Sequence, residues 1–178
     1  MASPTSSKPF SLYLAGYDVF RPDAIEYGEQ LKALCARHGL QGFYPLDKAG
    51  PADLTGPELA AWIYRANVAL IRQADGVIAN LNPFRGAEPD SGTAFEVGYA
   101  VALGKPVWAY TSVASSIVGQ VATGKSADGN FHIDAQGYTV EDFGMNLNLM
   151  LACSATVVIG GVDACLARIV RDLDSLTP

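Results

Sequence analysis

Along this chain short apolar runs alternate with longer stretches in which apolar residues recur every three or four positions. That alternation predicts a parallel sheet, whose strands are buried on both faces, covered by helices that each show one apolar stripe. The first run, 11–15, reads Ser-Leu-Tyr-Leu-Ala and stops at Gly16. Pro22 and Asp23 suit the opening of a helix that runs to about His38, with Gly39 where a left-handed cap is wanted. A brief strand follows at 41–44. Thr55-Gly-Pro-Glu58 fits a capping box, and the helix behind it, to about Gln73, carries Leu59, Trp62, Ile63, Ala66 and Leu70 at helical spacing. Strands are expected at 76–81, 106–110 and 156–159. Between the third and fourth lies a helix opened near Asp90 and closed by Gly104. A short helix at 146–151 and a closing helix at 162–176 complete the pattern, the latter with Val162, Cys165, Leu166, Ile169, Val170 and Leu173 on one stripe. The fold class is therefore α/β, a flavodoxin-like or Rossmann-like open sheet of five parallel strands with helices on both faces.

The exception to the pattern is residues 111–145, long, polar and dotted with glycine, which reads as a functional loop, a lid or an oligomer contact. Within it Gly119-Gln-Val-Ala-Thr-Gly-Lys125-Ser126 satisfies the phosphate-binding pattern G-x-x-x-x-G-K-[ST]. That pattern works only between a strand and a helix, and the Ala-Asp-Gly-Asn after Ser126 is a turn, so a P-loop is not expected.

With 178 residues the chain is most simply one domain, residues 11–178, behind a loose, polar N-terminal tail at 1–10. A formal charge of −6 and no Lys/Arg run argue against a nucleic-acid partner, and no segment suits a membrane span. Cys35, Cys153 and Cys165 are widely spaced, with only His38 and His132 as imidazole companions. Reduced thiols, no metal, no cofactor and a cytoplasmic location are the expectation.

The helix after Asp90 changes the picture from fold to chemistry. From Thr93 to Leu103 it is apolar on nearly every face and carries one charge, Glu96. A helix apolar all round belongs inside a protein, where an ionised carboxylate costs free energy unless partners or a ligand compensate. In an open α/β sheet ligands bind beyond the carboxyl ends of the strands, which here brings together Gly16 to Arg21, Asn82 to Glu96 and the loop after Tyr110. Placed in the first turn of its helix, Glu96 is suited to attack an anomeric carbon. Asp90 serves either as a second acid, for sugar hydroxyls or proton transfer, or as the helix N-cap. Tyr13 either orients Glu96 through its hydroxyl or merely packs, and Phe20 and Phe84 lie in loops where a flat heterocycle could stack.

Three segments resemble a known family. They are Leu-Tyr13-Leu-Ala-Gly16, Ala-Asp75-Gly-Val-Ile-Ala-Asn80, and Asn82-Pro-Phe-Arg-Gly-Ala-Glu-Pro-Asp90-Ser-Gly92-Thr-Ala-Phe-Glu96-Val-Gly98-Tyr; Asn148-Leu-Met150 adds a fourth. Together they resemble the nucleoside 2-deoxyribosyltransferases. The resemblance implies cleavage of the N-glycosidic bond of a 2′-deoxynucleoside and transfer of the sugar to a free nucleobase. It implies Glu96 as the nucleophile, with Asp90 and Tyr13 beside it, and substrate contacts from Gly16, Phe20, Asn67, Phe84, Gly92 and Asn148. Asn148 is expected to reach a neighbouring subunit's site, which makes the protein a homo-oligomer. Two departures stand out. Asn67 occupies a position where some members carry a carboxylate proposed to protonate the departing base, and the sequence ends in Leu-Thr-Pro178 where some members bring an aromatic residue into the site. The loop at 85–88 leans toward purines. The rival readings are a 2′-deoxynucleoside 5′-monophosphate N-glycosidase, whose phosphate Asp18 would repel, and a non-catalytic nucleotide-binding domain.

Overall fold

The structure is a computed structural model that describes residues 8–176; residues 1–7, most of the expected tail, and 177–178 lie outside the described residues. Phe10 already belongs to the packed domain, its ring set edge-on against Trp108 and its carbonyl accepting from the Gln41 N–H.

The chain opens with β1 (Ser11–Ala15), a 3-10 turn at Tyr17–Phe20, α1 (Ala24–Arg37), β2 (Gln41–Phe43), α2 (Gly56–Gln73) and β3 (Gly76–Asn80). It continues through α3 (Ser91–Ala102), β4 (Val107–Thr111), α4 (Ile117–Val121) and three two-residue strands, β5 (Gly124–Lys125), β6 (His132–Ile133) and β7 (Thr139–Val140). The last elements are α5 (Leu149–Ala152), β8 (Thr156–Ile159) and α6 (Val162–Leu176). The main sheet is parallel throughout, in the order β2-β1-β3-β4-β8. This is the flavodoxin-like order, which reverses direction between β1 and β3 and opens a ligand crevice there.

Strand parity divides the core. Leu12, Leu14, Ile78, Trp108 and Tyr110 face α1 and α6, where Leu31, Leu34, Cys35, Cys165, Leu166 and Ile169 meet them. The intervening residues Tyr13, Ala15, Val77, Ala79, Val107 and Ala109 face the other way, toward Ile71 of α2 and Val97 and Ala100 of α3. Because successive strand side chains point to opposite faces, this register alone decides that Tyr13 looks toward α3. At the far end of the sheet Asp75 accepts from the Ser11 N–H at 2.8 Å and the Ser11 hydroxyl at 2.6 Å, which pins the start of β3 to β1.

Several expectations are corrected. Thr55 caps α2 by position only; its side chain makes no capping bond, and the chain enters the helix through left-handed Gly56 (φ 51°). The buried residues of α2 are Val68 and Ile71, and Ile63 is exposed, because the first half of the helix packs on the loop at Gly50 through Leu59 and Trp62. Nor is α3 enclosed on every face, since Phe95, Val101 and the following Leu103 are all exposed. Residues 111–145 hold structure of their own, α4 and the antiparallel sheet β5-β6-β7. In the P-loop-like segment Lys125 lies on β5 with Nζ 2.9 Å from His132 Nε2, and a turn follows Ser126 where phosphate binding requires a helix. Among the described residues no helix is long and apolar enough to cross a membrane, and no group of three or more His, Cys, Asp or Glu is placed to hold a metal.

Gly28 tests the packing of α1. Alanine usually favours a helix interior over glycine by about 1 kcal/mol, but a Cβ at Gly28 would stand 2.4 Å from Tyr44 Cδ1 on a buried ring. Overpacking costs about 1–3 kcal/mol and outweighs the propensity gain. Gly28→Ala should therefore lower stability to urea, whereas Gly98→Ala on α3, with nothing within 4 Å of its Cβ, should not.

Candidate active site

Beyond the carboxyl ends of β1 and β3 the backbone crowds together. A side chain at Gly16 would meet Asp18 Oδ2 at 2.8 Å and Asn80 Cβ at 2.9 Å, so only glycine fits. Asn80 Nδ2 donates to Asp18 Oδ2 at 2.9 Å, and the Asn82 side chain donates to Asn80 Oδ1 at 2.7 Å. Asn82 Oδ1 in turn accepts from the Ser112 N–H and hydroxyl. This chain of amides ties together the loops that follow β1, β3 and β4 at the carboxyl edge of the sheet. Burial raises the Asp18 carboxyl above the ordinary range, against the hydrogen bond from Asn80.

Glu96 enters the crevice from the second turn of α3, not from the first turn as expected. The backbone N–H groups at the helix start are therefore not what holds it. Its partner is Tyr13, whose hydroxyl donates to Glu96 Oε1 at 2.5 Å. Tyr13 is fully buried on β1, which fixes both ring and hydroxyl. Burial raises the Glu96 carboxyl to about 7; the Tyr13 hydrogen bond pulls it down and the neighbouring Asp90 charge pushes it up. Burial and the same carboxylate raise the Tyr13 phenol far above its usual range, so it stays protonated and donates.

Of the two readings of Asp90, the helix cap is seen directly. It is the N-cap of α3, with Oδ2 accepting from Thr93 N at 3.0 Å and from the Thr93 hydroxyl at 3.1 Å. It also lines the cavity onto which Glu96 opens. That cavity measures about 310 Å³, and Gly16, Phe20, Asn67 and Gly92 share its wall with the two acids. Its volume lies at the small end of small-molecule sites. Val19 and Thr93 come from the two segments expected at the crevice, whereas Pro45, Leu46 and Ile63, which complete the lining, were missed in the sequence. Ile63 and Asn67 lie four apart on α2, a helical spacing that could have revealed them as a pair.

Two expected site residues stand elsewhere. Phe84 does not line the cavity; it is stacked with Tyr17, centroids 4.7 Å apart, and with Phe20, 5.4 Å apart. Arg85, in a left-handed conformation, holds its guanidinium over both Phe84 and Phe20. Phe84 is thus the buttress of Phe20. Asn148 lies in a separate apolar groove of about 550 Å³, with Gly98, Val101 and Met150. It caps α5 through Oδ1, and its Nδ2 donates to Glu141 Oε1 at 3.0 Å.

The model of the nucleoside 2-deoxyribosyltransferase family matches residues 12–150, most of the chain and all of the elements around Glu96. The chain belongs to this family of enzymes. Within the solved structures it is similar to a 2-desoxiribosyltransferase from Leishmania mexicana, at 34% identity and a TM-score of 0.73, covering 92% of this chain and 98% of that one. A conserved protein from Enterococcus faecalis V583, at 19% identity and a TM-score of 0.54, shares the fold over 95% of this chain and 99% of that one. An uncharacterised protein of Schizosaccharomyces pombe is 42% identical over 104 residues, 57% of this chain. The match spans about half of that relative's length, 49%.

The electrostatic cost of burying Glu96 is open to measurement. Its folded value, about 7, lies above the unfolded one, near 4.5. Glu96 therefore costs no stability below about pH 4.5, and its penalty grows between about pH 4.5 and 7 and levels off above. Glu96→Gln should be more stable than the parent at pH 8 by about 1–3 kcal/mol, with the difference vanishing near pH 4. Urea unfolding at the two pH values checks both sign and window.

Proposed function

We propose that this protein transfers a 2-deoxyribosyl group from one nucleobase to another by two displacements at C1′. In the first, the Glu96 carboxylate attacks C1′, the C1′–N bond breaks, and its electron pair leaves with the base. In the second, a nitrogen of the incoming base attacks the glycosyl ester and Glu96 departs as a carboxylate, with net retention. The observation that carries the reading is the position of Glu96, held by one hydrogen bond and opening onto a cavity of about 310 Å³. Its carboxyl, at about 7, is partly ionised at neutral pH and remains a competent nucleophile.

The surrounding residues support the same reading. Phe20, buttressed by Phe84, offers a face for a flat base. Asp90, with Oδ2 committed to Thr93, keeps Oδ1 for a sugar hydroxyl. Asp18 beside Gly16 opposes a phosphate and favours nucleosides over nucleotides. Purines are the preferred bases, in line with the long loop at 85–88. A second copy of the chain covers the apolar groove on the outer face of α3, which puts Asn148 at the edge of the neighbour's site and makes the active form a homo-oligomer.

A deoxynucleoside incubated with a second free base, and separately with none, tests the reading by chromatography. New nucleoside in the first mixture is the expected result. Free base alone would mean hydrolysis, and no turnover would mean a binding domain; either overturns transfer. Glu96→Ala should reduce turnover by at least about a thousandfold while the fold persists. In the parent, kcat/KM should rise as pH increases through about 7, as Glu96 ionises. Tyr13→Phe removes a bond that lowers the Glu96 value, so its profile should shift to higher pH.

A further inference from the structure

Beside the cavity stands a stack of side chains that the displacement chemistry does not use. Tyr17 and Phe20 come from the turn after β1, and Phe84 and Arg85 from the loop after β3, the two strands between which the sheet order reverses. The three rings lie nearly parallel, 11° apart for Tyr17 and Phe84 and 10° for Phe84 and Phe20. Arg85 sets its guanidinium over two of them, 4.6 Å from the Phe84 centroid and 5.1 Å from that of Phe20. Its backbone, at φ 57°, is the one left-handed non-glycine conformation among the described residues. A side chain is strained there, whereas glycine would rest without cost. Among the described residues no carboxylate pairs with Arg85, while the nearby Arg21 is bound to Asp23 at 2.9 Å and lies over Tyr27. The strained backbone and the unpaired cation share one explanation, attraction between the guanidinium and the faces of the two rings.

Phe20 needs such a hold. It ends a 3-10 turn and is 56% exposed, so the core does not fix its ring, yet it lines the cavity that holds Glu96. We propose that Arg85 is a positioning residue that favours the larger bases by clamping Phe20 against Phe84, so that the platform for the base is in place before the substrate arrives. A ring free to turn is in place only part of the time, and a ligand then loses affinity according to how much the ring adds for it. A purine covers more of a phenyl ring than a pyrimidine does and gains more by stacking, so it depends more on the clamp. The Phe84 N–H donates to the Glu88 carbonyl at 2.9 Å and closes the loop that carries the arginine. Glycine at position 85 would relax this loop and release the ring.

The inference rests on the proposed nucleoside site, and its test needs no turnover. Dissociation constants of 2′-deoxyadenosine and 2′-deoxycytidine are measured by calorimetry in the Glu96→Ala protein, alone and with Arg85→Asn, Phe20→Leu or both. Asparagine tolerates the left-handed backbone, so Arg85→Asn removes the guanidinium and keeps the turn. It should weaken 2′-deoxyadenosine about three- to tenfold and 2′-deoxycytidine clearly less. Phe20→Leu should weaken the purine about tenfold or more. Adding Arg85→Asn to it should have no further effect, because the arginine acts through the ring. Parental affinity in Arg85→Asn or equal losses for the two nucleosides would overturn the inference. So would losses that add in the double variant, which would make Arg85 a contact of its own. Should circular dichroism show that Arg85→Asn does not fold, Arg85→Gly, which takes the same φ without strain, is read by the same outcomes. Failure of both nucleosides to bind the Glu96→Ala protein overturns the inference, whereas base release without transfer in the parent overturns the transferase reading and leaves the clamp standing.

Discussion

One hydrogen bond, from the Tyr13 hydroxyl to Glu96 Oε1, constrains the carboxyl edge of this sheet. It joins residues 83 positions apart, and each end depends on a separate layer of the fold. On the strand side, the parity of β1 sends Leu12 and Leu14 to one core and Tyr13 to the other, so a shift of one residue would bury the hydroxyl among α1 and α6. On the helix side, Glu96 meets Tyr13 only because α3 packs Val97 and Ala100 against that same face. The Asp90 cap sets where α3 begins, and with it the rotation that carries Glu96 inward. Sheet order, strand register and helix start thus converge on one oxygen atom.

The same dependence explains what the sequence made legible. All five strands of the main sheet were readable because each is a short apolar run with a turn signal behind it, and α6 showed its stripe in Cys165, Leu166 and Ile169. Glu96 was readable because a single charge in an apolar stretch is an energetic anomaly that periodicity cannot absorb. Asp90 was readable as a residue but not as a role, since one carboxylate can cap a helix with Oδ2 and face a cavity at once.

The failures have equally local causes. Phe84 looks like a substrate platform in one dimension, and only the ring positions reveal that it stacks with Tyr17 and Phe20 and does not line the cavity. Ile63 carries an ordinary helical apolar signal, yet it lines the cavity because the first half of α2 rests on a loop rather than on the sheet. The strands β5, β6 and β7 are two residues each, too short for any alternation to be read. The amides of Asn80 and Asn82 gave no periodic signal either, although they tie three loops together at the edge of the sheet.

Stability and reactivity are in tension at Glu96, and the single donor sets the balance. With no donor, burial beside Asp90 would hold the carboxyl protonated at neutral pH, and a carboxylic acid is a poor nucleophile. With several donors it would ionise readily, but its lone pairs would be committed and its charge dispersed. Tyr13 occupies one oxygen, Oε1, and stays protonated because its own burial opposes ionisation. The second oxygen faces the cavity without a protein donor among the described residues.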